Sequence, residues 1–306
     1  MFQKLVNHLY RYPKSNWKTI QRFGGYLSYW RMLASKKQMQ KASENLPPII
    51  SNHNGFPIYF LTGKKYLYQT LFCALSLTKS CKETFRFILI DDGSFDQDLI
   101  NQVKQQMPNV KLILKNEIEN NLELKLPTSA YPFLHQKRKI YPHIKKLTDI
   151  HTIDDNPFKL VLDSDMLFWN EPTELIDWLK NPNGCIYMLD SEESYGYDKA
   201  LMETLCGFTI PNLMNVGTFG VNSNSINWNN IENWAKSLEE KQGASYFLEQ
   251  ALSVMVVANQ KKTILNKEEY IVNPHERGST FNRSKLHHYV DLSKRHYFEN
   301  DWKAFL

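Results

Sequence analysis

Cysteine is scarce in this chain: Cys73, Cys81, Cys185 and Cys206 are the only four in 306 residues, and no two make a CxxC pair or a zinc-like spacing. That excludes a disulfide scaffold and a zinc-ribbon domain, and it fits buried thiols in a reducing compartment. No stretch approaches the roughly 18 consecutive apolar residues of a membrane span. The N-terminal residues lack the apolar core of a secretion signal, because Lys4, Asn7, His8 and Arg11 interrupt it. There is no internal repeat and no low-complexity segment. Acidic residues are almost missing from residues 1–44, where nine Lys/Arg meet only Glu44; with a whole-chain charge of +5, the remainder is net acidic. These features place the expected protein in the cytoplasm, with a peripheral membrane contact as one option for its basic end.

Aromatics are plentiful instead, with 16 Tyr, 17 Phe and 7 Trp. Rings pack on the apolar faces of sugars and equally well in a core. The basic segment carries Trp17, Phe23, Tyr26, Tyr29 and Trp30, and two readings fit it. It lies on an anionic membrane surface, or it is a solvated helical arm packed on its own domain. Nucleic acid is not expected, since no binding motif accompanies the charge.

The order of elements is that of an α/β fold. Pro47-Pro48 and a polar run through Gly55 separate the basic, aromatic arm (1–50) from the main domain (51–306). Strands are expected at 57–63, 85–90 and 110–114, with helices at 66–78 and 96–107 between them, the pattern of a parallel sheet. An irregular stretch at 116–130 precedes a basic helix over 132–147, possible kink at Pro142. A strand at 158–162 follows, then a helix from 171 and a strand at 184–189. The polar run 191–213 is expected to be a loop. A strand with two glycines spans 215–222, helices lie near 226–240 and 245–258, and the tail is mixed. The whole is expected to be a single mixed, mostly parallel sheet flanked by helices. The main domain is expected to divide at residue 165 into two halves, 57–165 and 166–306.

The most informative stretch is Leu160-Val161-Leu162-Asp163-Ser164-Asp165. A buried strand ends on two carboxylates, and ligands of open α/β sheets bind beyond the carboxyl ends of strands. Paired carboxylates there repel unless a cation lies between them, and hard oxygens suit Mn²⁺ or Mg²⁺. Asp163 and Asp165 are therefore expected metal ligands. Asp91-Asp92 also end a strand; one reading has them accept from a base or ribose, the other makes them an Asp-Gly turn that caps a helix. Thr62 ends the first strand, where a base stacks or a turn simply forms.

With these segments in this order, the chain resembles GT-A-fold glycosyltransferases, most closely those of family 8. The LDSDMLF segment resembles that family's DxD element, and Asn215-Val216-Gly217 its Asn-Ala-Gly strand beside the sugar. Glu249-Gln250 resembles its Asp-Gln pair near the reacting carbon, and Arg138 with Pro142 its Arg-x-x-x-Pro helix against the donor. His288 and Lys294 resemble its tail, in which the His binds metal and the Lys contacts the diphosphate; His287 and His296 are rival ligands. The tail lacks that pattern's Gly and Pro-Trp, and Asp91-Asp92-Gly93-Ser94 is closer to inverting family 2 enzymes.

The resemblance makes 57–165 the nucleotide-sugar-binding half and 166–306 the acceptor half with a metal-binding tail, and it implies catalytic roles for Glu249, Gln250 and Asn215. It implies nucleotide-sugar contacts from Thr62, Asp91, Asp92, Arg138, Ser164, Gly217 and Lys294, and a metal held by Asp163, Asp165 and His288. The expected activity is Mn²⁺- or Mg²⁺-dependent hexosyl transfer, with retention, from a UDP-linked donor to a glycan or lipid-linked acceptor in polysaccharide biosynthesis. Two alternatives compete. A haloacid-dehalogenase-type phosphatase also uses a strand followed by DxD, although that motif usually opens its domain and here it lies mid-chain. An inactive GT-A protein would only bind sugar.

Overall fold

The computed structural model describes residues 12–274 and 283–306. The sequence features at Lys4, Asn7, His8 and Arg11 lie outside the described residues.

A seven-stranded sheet forms the centre. It contains β1 (Phe56–Thr62), β2 (Phe85–Asp91), β3 (Lys111–Ile113), β4 (Phe158–Leu162), β6 (Cys185–Leu189), β7 (Met214–Asn222) and β8 (Lys262–Ile264). Its spatial order is β3-β2-β1-β4-β7-β6-β8. Strands β3, β2, β1 and β4 run parallel, β7 is antiparallel to β4 and β6, and β8 is parallel to β6.

Period-two alternation decides which side chain faces which core. Ile58, Phe60, Phe87, Leu89, Leu160 and Leu162 join the cluster on one face, whereas Tyr59, Ile88, Ile90 and Val161 join that on the other. Both faces are covered, which explains why Leu160-Val161-Leu162 reads as one apolar run. On the first face lies α3 (Leu67–Ser80), following the arm helices α1 (Tyr12–Arg22) and α2 (Tyr26–Ser43); α4 (Gln97–Gln106) links β2 to β3. Asp96 caps α4 by accepting from the Leu99 amide.

Several expectations need correction. The stretch 116–130 is largely helical: α5 spans Lys115–Lys125 and buries Ile118 and Leu122. Its apolar positions are too few for periodicity to stand out. The basic helix over 132–147 is three pieces: α6 (Pro132–Ile140), a 3-10 turn (Pro142–Ile144) and α7 (Lys145–His151). Tyr141 leaves helical geometry at φ −134°, ψ 83°, as the residue before a proline tends to. After α8 (Thr173–Lys180), the run 191–213 also contains a helix, α9 (Lys199–Cys206), capped by Asp198 and ended by Gly207 at φ 78°. Helices α10 (Trp228–Gln242) and α11 (Leu248–Val257) follow.

The sheet is not single. A small second sheet, β5-β10-β9, is made of β5 (Met166–Phe168), β9 (Tyr270–Val272) and β10 (Leu286–His288). It ties the tail back to the strand end at Asp165. Helix α12 (Lys294–Glu299) then packs against α2, whose Met32 and Met39 are buried. The arm helices therefore rest on the body of the domain.

A candidate metal and nucleotide-sugar site

Strand β4 sits beside β1, while β2 and β3 lie on β1's other side, so the carboxyl ends of β1 and β4 flank a topological switch point. Asp163 is the first residue past β4, and its amide donates to the Gly217 carbonyl at 2.7 Å. Two residues on, β5 pairs antiparallel with β10, setting Met166 opposite His288; the Tyr289 amide donates to the Asp165 carbonyl at 2.9 Å. This register carries His288 from the far end of the chain to the two aspartates.

His288 Nε2 lies 3.4 Å from Asp165 Oδ1 and 3.7 Å from Asp163 Oδ2. Ligand atoms of Asp163, Asp165 and His288 all fall within 4.8 Å of one another, and this is the metal-competent group among the described residues. The other imidazole nitrogen, Nδ1, is 3.0 Å from Asn215 Oδ1. An amide oxygen can only accept, so Nδ1 carries the proton and Nε2 offers its lone pair toward the carboxylates. Asn215 is held in turn: its Nδ2 donates to Asp190 Oδ2 at 2.9 Å, and its Oδ1 also accepts from the Gly217 amide at 2.9 Å. Asn215 thus orients the histidine.

Gly217 has a steric reason to be glycine. A Cβ there would lie 2.3 Å from His288 Cε1 and 2.7 Å from the Met166 methyl. The close approach that this glycine permits is made by His288.

The rival histidines are placed elsewhere. His287 points to the opposite side of β10, its Nδ1 3.3 Å from the Tyr289 hydroxyl, and burial pushes its pKa down to about 3. His296 lies half-buried on α12 outside the three-residue group.

Two lysines neutralise the carboxylates. Lys294 Nζ, at the start of α12, is 3.2 Å from Asp165 Oδ2, with its side chain 40% exposed. Burial works to raise the Asp165 pKa, but the Lys294 ammonium outweighs it and holds that carboxyl well below its usual range. Lys146, on α7, is 2.7 Å from Asp163 Oδ1 and donates to the Val216 carbonyl at 2.6 Å. Burial opposes its charge, and Asp163 and Glu249 together more than restore it, so its pKa is raised.

Lys146 escaped the sequence reading, which gave the basic helix's donor contact to Arg138. Arg138 is committed elsewhere: Nε and Nη2 bond Asp149 at 2.7 and 2.8 Å, and Nη2 also meets Glu119 at 3.2 Å. The break at Tyr141-Pro142 resets the helical phase, so Lys146 faces the aspartates and Arg138 does not. The available signal was a lysine pair soon after the proline, on the last helix before the DxD strand.

The other expected residues fall into two groups. Glu249 and Gln250 open α11 and are both buried. Gln250 Nε2 donates to the Met214 carbonyl at 3.0 Å, fixing its amide beside β7. Glu249 accepts from Ser253 Oγ at 3.2 Å. Burial raises its pKa to about 7, with Asp163 adding to the rise and Lys146 opposing it. Ser164 is half-buried between the aspartates. Tyr141 OH donates to the Tyr246 carbonyl at 2.5 Å, and the Tyr246 ring, 67% exposed, stands 4.8 Å from His143 at the rim.

The second group lies at the β1 and β2 ends. Thr62 pairs with Asp91, and its hydroxyl is 2.8 Å from that of Thr70, buried inside. Asp91 Oδ1 accepts from the Gly93 and Phe95 amides, and Asp92 Oδ1 from Ser94 N and Oγ. The Asp-Gly turn is therefore formed, while the helix that follows it is capped by Asp96 and not by this pair. A Cβ on Gly63 would strike Asp92 Oδ1 at 2.0 Å, so that turn packs directly on the end of β1.

No helix among the described residues is long and apolar enough to cross a membrane. No known protein-family profile and no curated protein matches the chain. Solved structures do. The galactosyltransferase LgtC in complex with donor and acceptor sugar analogues superposes with a TM-score of 0.54 at 16% identity, over 81% of this chain and 93% of that one. A structure of an active-site mutant of LgtC gives 0.50 at 16% identity, over 77% and 87%. Mouse xyloside xylosyltransferase 1, at 0.48 and 13% identity, covers 79% and 98% but is too distant to carry an argument. In its mixed sheet with helices on both faces, the chain has the GT-A glycosyltransferase fold.

Proposed function

We propose that this protein is a retaining, metal-dependent glycosyltransferase of the family 8 type. It moves a hexose from a UDP-linked donor to a glycan or lipid-linked acceptor, in the cytoplasm, as a step of polysaccharide assembly. The observation that carries the reading is the convergence of Asp163, Asp165 and an imidazole whose Nδ1 is already bonded to Asn215. Two carboxylates and one neutral imidazole suit Mn²⁺, or Mg²⁺ less well, and leave coordination positions for diphosphate oxygens. Held there, the cation would neutralise the charge that develops on the departing nucleoside diphosphate.

The chain's own residues do the rest. Asn215 keeps the His288 lone pair directed inward. Lys146 fixes one oxygen of Asp163. Lys294, partly exposed, can transfer its ammonium from Asp165 to a phosphate oxygen, adding a fixed positive charge beside the leaving group. Glu249, poised near neutrality, receives or orients an acceptor hydroxyl proton, and the Gln250 amide sits beside it on β7. The turn at Asp92 on the end of β1, and Ser164 between the two aspartates, would border the nucleotide, while Gly217 makes room for His288. The exposed Tyr246 ring at the rim offers a face on which a sugar can pack.

The fold is that of glycosyltransferases, and no observation favours the phosphatase alternative. The test is hydrolysis and transfer with a panel of UDP-sugars and Mn²⁺. Asp163→Asn and Asp165→Asn are each expected to abolish turnover; undiminished activity in both would remove the proposal, and turnover of a generic aryl phosphate in its place would support the phosphatase.

A further inference from the structure

The arm helices α1 and α2 contain seven Lys/Arg (Lys14, Lys18, Arg22, Arg31, Lys36, Lys37 and Lys41) and no acid. Helix α2 is two-faced. Met32, Ser35, Met39 and Ser43 are buried toward the body, whereas Leu27, Trp30, Arg31, Ala34, Lys37 and Lys41 form one exposed stripe at helical spacing. The exposed side opens with large rings: Leu27 is 85% exposed, Trp30 68% and Tyr26 56%, with Trp17 of α1 5.7 Å from the Tyr26 ring. Apolar and aromatic side chains left bare beside cations mark an interaction surface.

We infer that this face docks on an anionic lipid bilayer. Charge complementarity selects the occupant: the two arm helices carry seven cations and no acid, which calls for a dense field of negative charge. Trp and Tyr have an apolar body and a polar tip, which suits the headgroup boundary. Each Lys or Arg near an anionic leaflet adds to the attraction, and salt screens it.

The docked face is fastened to the candidate site. Arg22 Nη2 makes a forked contact with Asp291, 2.6 Å to Oδ1 and 2.5 Å to Oδ2. Asp291 lies midway in sequence between His288 and Lys294. The turn at Gly24 lies against Arg295, and α2 packs on α12. A bilayer that holds the arm therefore sits beside the segment that carries His288 and Lys294, and the acceptor that reaches the site is one anchored in that bilayer. This last step rests on the glycosyltransferase reading; the docking itself does not.

The experiment is vesicle co-sedimentation of the full chain, without donor or acceptor, so a failure of sugar transfer leaves its outcome untouched. Vesicles of phosphatidylcholine alone are compared with vesicles carrying about 30% phosphatidylglycerol at low salt. The full chain is expected to sediment with the anionic vesicles only and to be released by high salt. Leu27→Ser/Trp30→Ser and Lys37→Glu/Lys41→Glu are each expected to weaken binding by about tenfold or more. All four side chains are exposed, so thermal unfolding should not change and will confirm folding. Absence of sedimentation with anionic vesicles, as a protein partner would predict, overturns the proposal. So does equal binding to neutral vesicles, or wild-type binding by both double variants.

Discussion

Lys146 Nζ lies 2.7 Å from Asp163 Oδ1, pinned there by a second bond to the Val216 carbonyl. The lysine side chain is 11% exposed, and one oxygen of the key carboxylate is thereby fixed while the other faces His288. Removing the cation leaves Asp163 free to turn and leaves Glu249 and Asp163 without the charge between them. Lys146→Met is expected to reduce turnover by about 10²-fold, the scale of a misoriented site. Lys146→Arg should recover part of the loss, because it restores the charge. Steady-state kinetics on the two variants checks this, and equal activity of Met and wild type counts against the assignment.

Gly217 and His288 occupy the same space to within a methyl group. Gly217→Ala places its Cβ 2.3 Å from His288 Cε1, so the ring must move off the aspartates. The expected result is a folded protein, destabilised by about 1–3 kcal/mol from overpacking, with Mn²⁺ binding lost. Thermal unfolding and Mn²⁺ titration read the two effects separately.

Glu249 predicts a pH dependence. Its folded pKa of about 7 lies above the ordinary carboxyl value of 4.5, so the folded chain holds a proton there that the unfolded chain releases. The sign is then fixed: this stabilisation is complete below the unfolded value and is lost as pH rises through about 7. Glu249→Gln cannot lose a proton. Its stability relative to the parent should rise between pH 5 and about pH 7 and level off by pH 8, as read by urea unfolding across that window. A flat difference would place the carboxyl in a solvated setting.

Arg138 carries a different expectation. Its guanidinium is 10% exposed and grips Asp149, itself 1% exposed. Stripping one partner from a buried pair costs about 3–5 kcal/mol. Arg138→Ala should therefore unfold far more easily while its folded fraction keeps wild-type donor affinity. A normal unfolding midpoint with weakened donor binding would instead put Arg138 at the donor.

Much of the site was legible before the fold. The apolar run ending at Asp163 and Asp165 needs only strand periodicity and charge repulsion to be recognised. His288 was legible from spacing relative to Lys294, but its route back was not: three-residue strands such as β5, β9 and β10 leave almost no periodic signal. Asn215 and Gly217 stood out in the sequence, yet their contacts are with His288, a relation between distant segments that sequence order hides. Lys146 was hidden by the break at Pro142, where counting residues along one continuous helix gives the wrong face. Helices α5 and α9 were missed because each buries few side chains, and polar helices look like loops.

The claim at the centre is that Asp163, Asp165 and His288 bind a cation that in turn binds a nucleoside diphosphate. Isothermal titration of uridine diphosphate into the protein, with and without Mn²⁺, tests it most directly. The account predicts binding that tightens by at least about tenfold with Mn²⁺ and that loses this gain in Asp165→Asn. Binding of equal strength with and without Mn²⁺, unchanged in Asp165→Asn, would contradict it.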